Sequence, residues 1–190
     1  MTREESPSMR SLSQPALELL KHYAGYHRDQ RNIATHMVGV PLIVFGFGVL
    51  LARPALEIGV AGLSLTPAWA LFAAAALWYL TRGLFTLGLA VTAGVGLLLA
   101  LAHQVDGGVA GWLGWGLGCF GVGWLIQGVG HYYEGRKPAF ADDLVGLLVG
   151  PMFVTLELLS AAGFYRDVTA TIERHAGPTR IRDLAQPMTR

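Results

Sequence analysis

Charge is scarce in this 190-residue chain: Lys, Arg, Asp and Glu make up 14% of the residues, and the formal net charge is only +1. A nucleic-acid binder needs a basic stripe interleaved with aromatics, whereas the basic residues here flank apolar runs, which argues against nucleic acid as a partner. Cysteine is nearly absent. Cys119 lies alone in an apolar run, so neither a disulfide framework nor a cysteine zinc site is available, and packing is its expected role. There is no solenoid repeat, no phosphate-cradling loop and no serine in a nucleophile elbow. The polar first 36 residues contain no apolar core of a secretory signal, so the first hydrophobic segment is expected to remain in the mature protein.

What the chain has is apolar surface. Hydrophobic residues make up 53% of it and glycine alone supplies 25 residues, the composition of a membrane protein. Apolar stretches run over 37–52, 67–81, 84–104, 109–127 and 144–164, and a span needs about 20 such residues, fewer where the bilayer thins. Arg82-Gly83 between the second and third reads as a tight helical hairpin. Pro151 and Glu157 inside the last stretch point to a re-entrant or interfacial path, because a carboxylate in hydrocarbon needs a partner or a cavity. The expected fold is all-α: a polytopic helix bundle of four spans plus a fifth, non-spanning helix, with five plain spans as the alternative. Residues 1–165 are expected to form a single membrane-embedded catalytic domain and 166–190 a polar tail. Gly111-x-x-Gly114 and Gly114-x-x-x-Gly118 are expected where helices approach closely.

Orientation follows from Lys and Arg. The N-terminal flank carries Arg3, Arg10, Lys21, Arg28 and Arg31, while the 53–66 connection has only Arg53 and the 104–108 connection none. This pattern favours a cytoplasmic N-terminus, in the inner membrane of a bacterium or an ER-like membrane of a eukaryote. Four spans then bring the 131–143 connection, with Arg136 and Lys137, back to the same face.

Two constellations carry chemistry. In Gln127-Gly-Val-Gly-His131-Tyr-Tyr-Glu134, the helical spacings i, i+4 and i+3 put Gln127, His131 and Glu134 on one face. Before the first apolar run, Tyr23 and His27 form one i, i+4 pair and Asn32 and His36 another. His27 and His36 would point to opposite sides of one straight helix, so a common site requires a break, expected over Arg28-Asp29-Gln30-Arg31, with Asp29 capping the next helix. His27, His36 and His131 are then expected to share a membrane face and to ligate a metal. Three roles are open to Glu134: ligand, acceptor for an imidazole N–H, or partner for Arg136 or Lys137. His22, offset five residues from His27, faces elsewhere, and His103 and His175 stand apart from the site. Tyr132 and Tyr133 read as interface anchors.

Tyr23-x3-His27-x4-Asn32-x3-His36-x2-Gly39-x-Pro41, together with Gln127-x2-Gly130-His131-x2-Glu134-x3-Pro138-Ala139 and on to Gly150-Pro151-x-Phe153 and Glu157, resembles the 2-hydroxy fatty acid dioxygenase family. These are membrane proteins in the metabolism of phytosphingosine to odd-numbered fatty acids. The resemblance extends over about residues 17–160 and implies an Fe(II)-dependent α-oxidation in which a 2-hydroxy fatty acid and dioxygen give an acid one carbon shorter. It implies His27, His36 and His131 as iron ligands and a catalytic set of Tyr23, Asn32, Gln127 and Glu134, with Asn32 and Gln127 orienting ligands or binding the substrate's carboxylate or hydroxyl. Arg28, Arg31 and Lys137 are alternative carboxylate anchors. The acyl chain would lie between apolar helices and the enzyme in membrane lipid. The competing readings are another membrane metalloenzyme, such as a di-iron lipid hydroxylase or desaturase or a zinc hydrolase, and a small transporter or scaffold in which His131 and Glu134 relay protons or pack. The histidines are too few for the di-iron class, and haem is disfavoured.

Overall fold

The computed structural model describes residues 13–53, 55–57, 64–136 and 145–185, and among these it is an all-α bundle of seven helices with one small ribbon. They are α1 (Ala16–Ala24), α2 (Gln30–Leu51), α3 (Pro67–Leu80), α4 (Phe85–Ala102), α5 (Gly108–Glu134), α6 (Gly146–Ala161) and α7 (Arg166–Ala176). Between α2 and α3, β1 (Leu56–Glu57) pairs antiparallel with β2 (Ser64–Leu65).

Helices α2, α4 and α5 are long and apolar enough to cross a membrane. The 14 residues of α3 rise only about 21 Å against a hydrocarbon core of about 30 Å. Short as it is, α3 runs from Thr66, beside His103 at one end of the bundle, to Tyr79, beside Leu148 at the other, along the path expected of the second span. Helix α6 breaks from α7 by 118° after 16 residues, in keeping with the non-spanning path expected for the last apolar stretch, and the bent pair makes a fourth span only if both halves are counted together. The outward faces suit lipid: Leu97, Trp115, Leu117 and Leu125 are all largely exposed.

Helix α2 is the central element and packs most extensively on α5. Backbone meets backbone there. A Cβ on Gly46 would meet the carbonyl oxygen of Gly116 at 2.7 Å, and one on Gly123 would meet the carbonyl oxygen of Gly39 at 2.8 Å. Without a hydrophobic drive between helices in lipid, such close approach supplies the dispersion contacts that hold them together. The seam's glycines recur every seven residues, at 39 and 46 on α2 and at 116, 123 and 130 on α5, with Gly116 making room for Leu50 and Gly130 for Asn32 and Thr35. Gly114 and Gly118, expected at a helix contact, face open space, and Gly111 crowds only the local Asp106 carbonyl. The Trp112 indole N–H donates to the Val49 carbonyl (2.8 Å) at the far end of the same seam.

On the other side, α1 buries Ala16, Leu19, Leu20, Tyr23 and Ala24, a helical stripe that packs against α6 and α7. Phe153, Met152 and Leu156 of α6 fill the centre of this layer, and Ile172 of α7 closes it. The Tyr79 hydroxyl donates to the Leu148 carbonyl (2.9 Å) and ties α3 to α6.

Gly46→Ala forces α2 and α5 apart and is expected to cost about 1–3 kcal/mol, read as a lower unfolding midpoint in detergent. Gly118→Ala, with nothing within 4 Å of its Cβ, should leave the midpoint in place.

Candidate metal centre

The corner between α1 and α2 assembles the site. The chain turns through residues 25–29 and Asp29 caps α2 by accepting the Arg31 N–H at 2.9 Å; the cap is the one expected, while the break begins three residues before the polar run and ends inside it, with Gln30 and Arg31 already helical. The turn swings His27 back toward His36, and α5 brings His131 to both. All three are buried, their rings are 4.4–5.2 Å apart, and each offers a nitrogen within 4.8 Å of the other two. Among the described residues, these three make the one group of His, Cys, Asp or Glu side chains placed to hold a metal.

Their protonation follows from their neighbours. His27 Nδ1 lies 2.8 Å from the Tyr23 carbonyl and His36 Nδ1 lies 2.9 Å from the Asn32 carbonyl. A carbonyl only accepts, so each Nδ1 carries the proton and each Nε2 presents a lone pair. Those two Nε2 atoms face each other at 3.1 Å. Two acceptors cannot satisfy one another, and a shared cation resolves the conflict. Burial, reinforced by His36, pushes His27 well below its usual range, so the imidazole is neutral, the form that ligates. His131 Nδ1 is buried without a hydrogen-bond partner. Three neutral imidazoles fit a divalent transition metal.

Glu134 is committed elsewhere. Its carboxylate accepts the Arg28 N–H on both oxygens (3.0 Å each), the Asp29 N–H (2.8 Å) and the Asn32 side-chain amide (3.0 Å). It clamps the corner and the N-terminus of α2 to the end of α5, and it stands outside the group that can hold a metal. Asn32 is held by Glu134 and the Tyr26 carbonyl, and its buried Oδ1 has no partner. Gly130 leaves the room that Asn32 and Thr35 occupy against α5.

Tyr23 stacks flat on His27 (4.1 Å, 7°), and burial raises its phenol above the usual range, so it stays protonated. Tyr23, Gln127 and His131 share the wall of a cavity of about 350 Å³. The rest of its lining is apolar and runs past Val44, Phe47 and Trp124 to Leu51, Ala68 and Leu99. Three lining residues, Phe47 (46% exposed), Leu71 (53%) and Leu147 (47%), are well exposed, so the cavity is open on its outer side.

Neither Arg28 nor Arg31 lines this cavity. Arg28 is buried and donates to the carbonyls of Ala24, His27 and Gly177, with Glu157 the strongest of the acidic charges acting on it. Arg31 pairs with Asp29 (2.8 Å) and lies over the Tyr133 ring. Both arginines therefore brace the corner. Lys137, with Pro138 and Ala139 of the second motif, lies outside the described residues. His22 edges Tyr26, and His103 bonds Thr66 at the opposite end of the bundle.

A strap after α7 completes the corner, and the spacing of the motifs carries no hint of it. Arg180 donates its N–H to the Arg28 carbonyl (2.8 Å) and accepts the Gln30 N–H (2.9 Å), while the Arg182 N–H donates to Asp29 (2.7 Å). The Arg182 side chain reaches the Tyr133 carbonyl (3.0 Å) beside Gly135, where α5 ends at φ +69°.

A family model described as 2-hydroxy-palmitic acid dioxygenase Mpo1-like matches residues 13–162. The chain belongs to this family. Among the members of the Mpo1-like family, the 2-hydroxy-palmitic acid dioxygenase MPO1 of Saccharomyces cerevisiae is 34% identical over 158 residues, covering 81% of this chain and 85% of the yeast protein. No solved structure matches. The match contains both histidine segments, so the trio lies within the part that defines the Mpo1-like family.

Glu134→Ala strands two backbone N–H groups and an amide in a buried corner. It is expected to cost about 3 kcal/mol in the unfolding midpoint, with Glu134→Gln recovering part of the loss. Asp29 supplies a pH test. Burial pushes its carboxyl up, but hydrogen bonds from the Arg31 side chain and the Arg182 and Arg31 N–H groups outweigh this and hold it at about 2, below its ordinary 3.8. A depressed carboxyl stabilises fully above its unfolded value and loses that contribution as pH falls through the folded one. Asp29→Asn should therefore be less stable than the parent by about 2 kcal/mol at pH 6, and the gap should close between pH 4 and pH 2.

Proposed function

We propose that this chain is a 2-hydroxy fatty acid dioxygenase that uses Fe(II) to carry out α-oxidation, releasing a fatty acid one carbon shorter than its substrate. The observation that carries the proposal is the pair of Nε2 lone pairs facing each other at 3.1 Å beside a buried His131, at the polar end of an apolar cavity. Membership of the Mpo1-like family supports the substrate class, and the yeast relative's name supplies the hydroxylated acid. His27, His36 and His131 would hold the Fe(II), which would supply dioxygen activation when bound.

The protein's own groups have separable tasks. The carbonyls of Tyr23 and Asn32 hold His27 and His36 in the tautomer that presents Nε2. Glu134 holds those two histidines at a fixed distance from His131 by clamping the corner, and so is a positioning residue. Gln127 and the protonated Tyr23 hydroxyl share the cavity wall with His131 and are the groups placed to hydrogen-bond the substrate's carboxylate and 2-hydroxyl. The apolar walls take the acyl chain and keep water from the reacting carbons. The distribution of Lys and Arg supports a cytoplasmic N-terminus, which puts the site at the cytoplasmic interface.

Anaerobic purification in detergent, metal analysis, oxygen uptake and product mass spectrometry test the proposal. The parent should consume oxygen and form the acid one carbon shorter only with Fe(II). His36→Ala and His131→Ala should each lose stoichiometric iron and lower turnover by more than about 100-fold, since even groups behind metal ligands are worth 10–100-fold. Iron content and turnover that survive both substitutions would refute the site.

A further inference from the structure

The end of the cavity farthest from the histidines is built as a stop. Ala68, the second residue of α3, is buried there (2% exposed), facing Leu51 of α2 and Leu99 of α4 across the lining. Gly48 lies between them, and a Cβ on it would strike the Leu99 side chain and Ala102. Beneath this floor lies a polar latch. His103 Nδ1 donates to the Leu99 carbonyl (2.7 Å), which leaves Nε2 to accept the Thr66 hydroxyl (2.9 Å). Thr66 in turn caps α3 by accepting the Trp69 N–H, and the Trp69 ring stacks on His103 (5.0 Å). Thr66 is itself buried, so the start of α3 and the end of α4 are pinned together directly under Ala68 and Leu99. These hydrogen bonds hold the floor in place, and a chain longer than the cavity must turn out through the side that is open at Phe47 and Leu71.

The distance from site to floor is set by helix rise. Val40 to Leu51 on α2, Phe120 to His131 on α5 and Ala68 to Tyr79 on α3 are each eleven positions and all line the cavity. Each corresponds to about 16 Å. An extended chain advances about 1.2 Å per bond, so the cavity takes about 13 bonds beyond the carbon held at the histidines, an acid of about 15 carbons.

We infer that Ala68 and Leu99, latched by Thr66 and His103, set the acyl-chain length that this enzyme prefers. This rests on the 2-hydroxy fatty acid reading above. Each methylene that loses the cavity's contacts and meets water costs up to about fourfold in binding. Ala68→Phe raises the floor and is expected to move the optimum to shorter acids, lowering kcat/KM for a 16-carbon relative to a 12-carbon 2-hydroxy acid by at least about tenfold. Leu99→Ala lowers the floor and should move the optimum the other way, raising the 20-carbon to 16-carbon ratio. Because the two shifts are opposite, a folding defect in one variant cannot imitate the pattern.

The experiment compares parent and variants, purified in detergent with Fe(II), on 2-hydroxy acids of 10 to 22 carbons. The same acids are also used to displace a fluorescent fatty acid from the protein without turnover. Opposite shifts of the optimum in turnover and in displacement establish the stop. Monodisperse variants with the parent's chain-length profile in both would overturn it. Length-dependent displacement by a parent that turns over none of the acids would leave the stop standing and refute the dioxygenase reading instead.

Discussion

The carboxylate of Glu134 is the joint on which the site depends. It gathers the N–H groups of Arg28 and Asp29 and the amide of Asn32 onto the last residue of α5. His27 comes from the corner, His36 from α2 and His131 from α5, and the corner is tied to that helix end also by Arg136, which donates to the Gly25 carbonyl (2.6 Å), by Arg31 over the Tyr133 ring, and by the Arg182 side chain of the strap. A carboxylate is suited to the task because it accepts several hydrogen bonds at once and meets the positive end of α2. Removing it would leave His36 and His131 facing each other across the α2–α5 seam but would release the corner that carries His27.

The rest of the bundle serves two opposed requirements. Along the α2–α5 seam, glycines at seven-residue intervals let the two backbones approach and leave room for Ile43, Leu50 and Thr35 between them. Between α2, α3 and α4 the packing is instead held open, and the cavity forms there. A single helix thus carries a face of closest contact and a face lining empty space. The first fixes the geometry of the histidines, and the second gives a chain somewhere to lie.

Much of this was legible in the residues. The i, i+4 pairs Tyr23/His27 and Asn32/His36 demanded a break to converge, and Asp29 caps α2 as expected, although the turn opens at Gly25, three residues ahead of the polar run. The all-α membrane architecture followed from apolar run lengths. Other features had weaker signals. Glu134 sits three residues from His131 on a shared face, and spacing cannot distinguish a ligand from a clamp, because the difference lies in backbone N–H groups a hundred residues away. Gly114 and Gly118 matched a familiar short motif, whereas the working set, Gly116, Gly123 and Gly130 against Gly39 and Gly46, is visible only as a longer repeat shared by two helices. Arg28 and Arg31 looked like carboxylate anchors by charge and position. Their guanidiniums go to carbonyls and to Asp29, a choice made by the strap at Arg180–Arg182, whose polar composition announces no such contact.

The open side of the cavity, between Phe47 and Leu71, has a consequence for how this protein meets its substrate. If the cavity takes the acyl chain as proposed, a chain dissolved in the surrounding lipid enters through this side and need not pass through water. The concentration that governs occupancy is then the mole fraction of acid in the surrounding lipid, and two samples with the same total substrate but different amounts of lipid or detergent are, for this enzyme, at different concentrations.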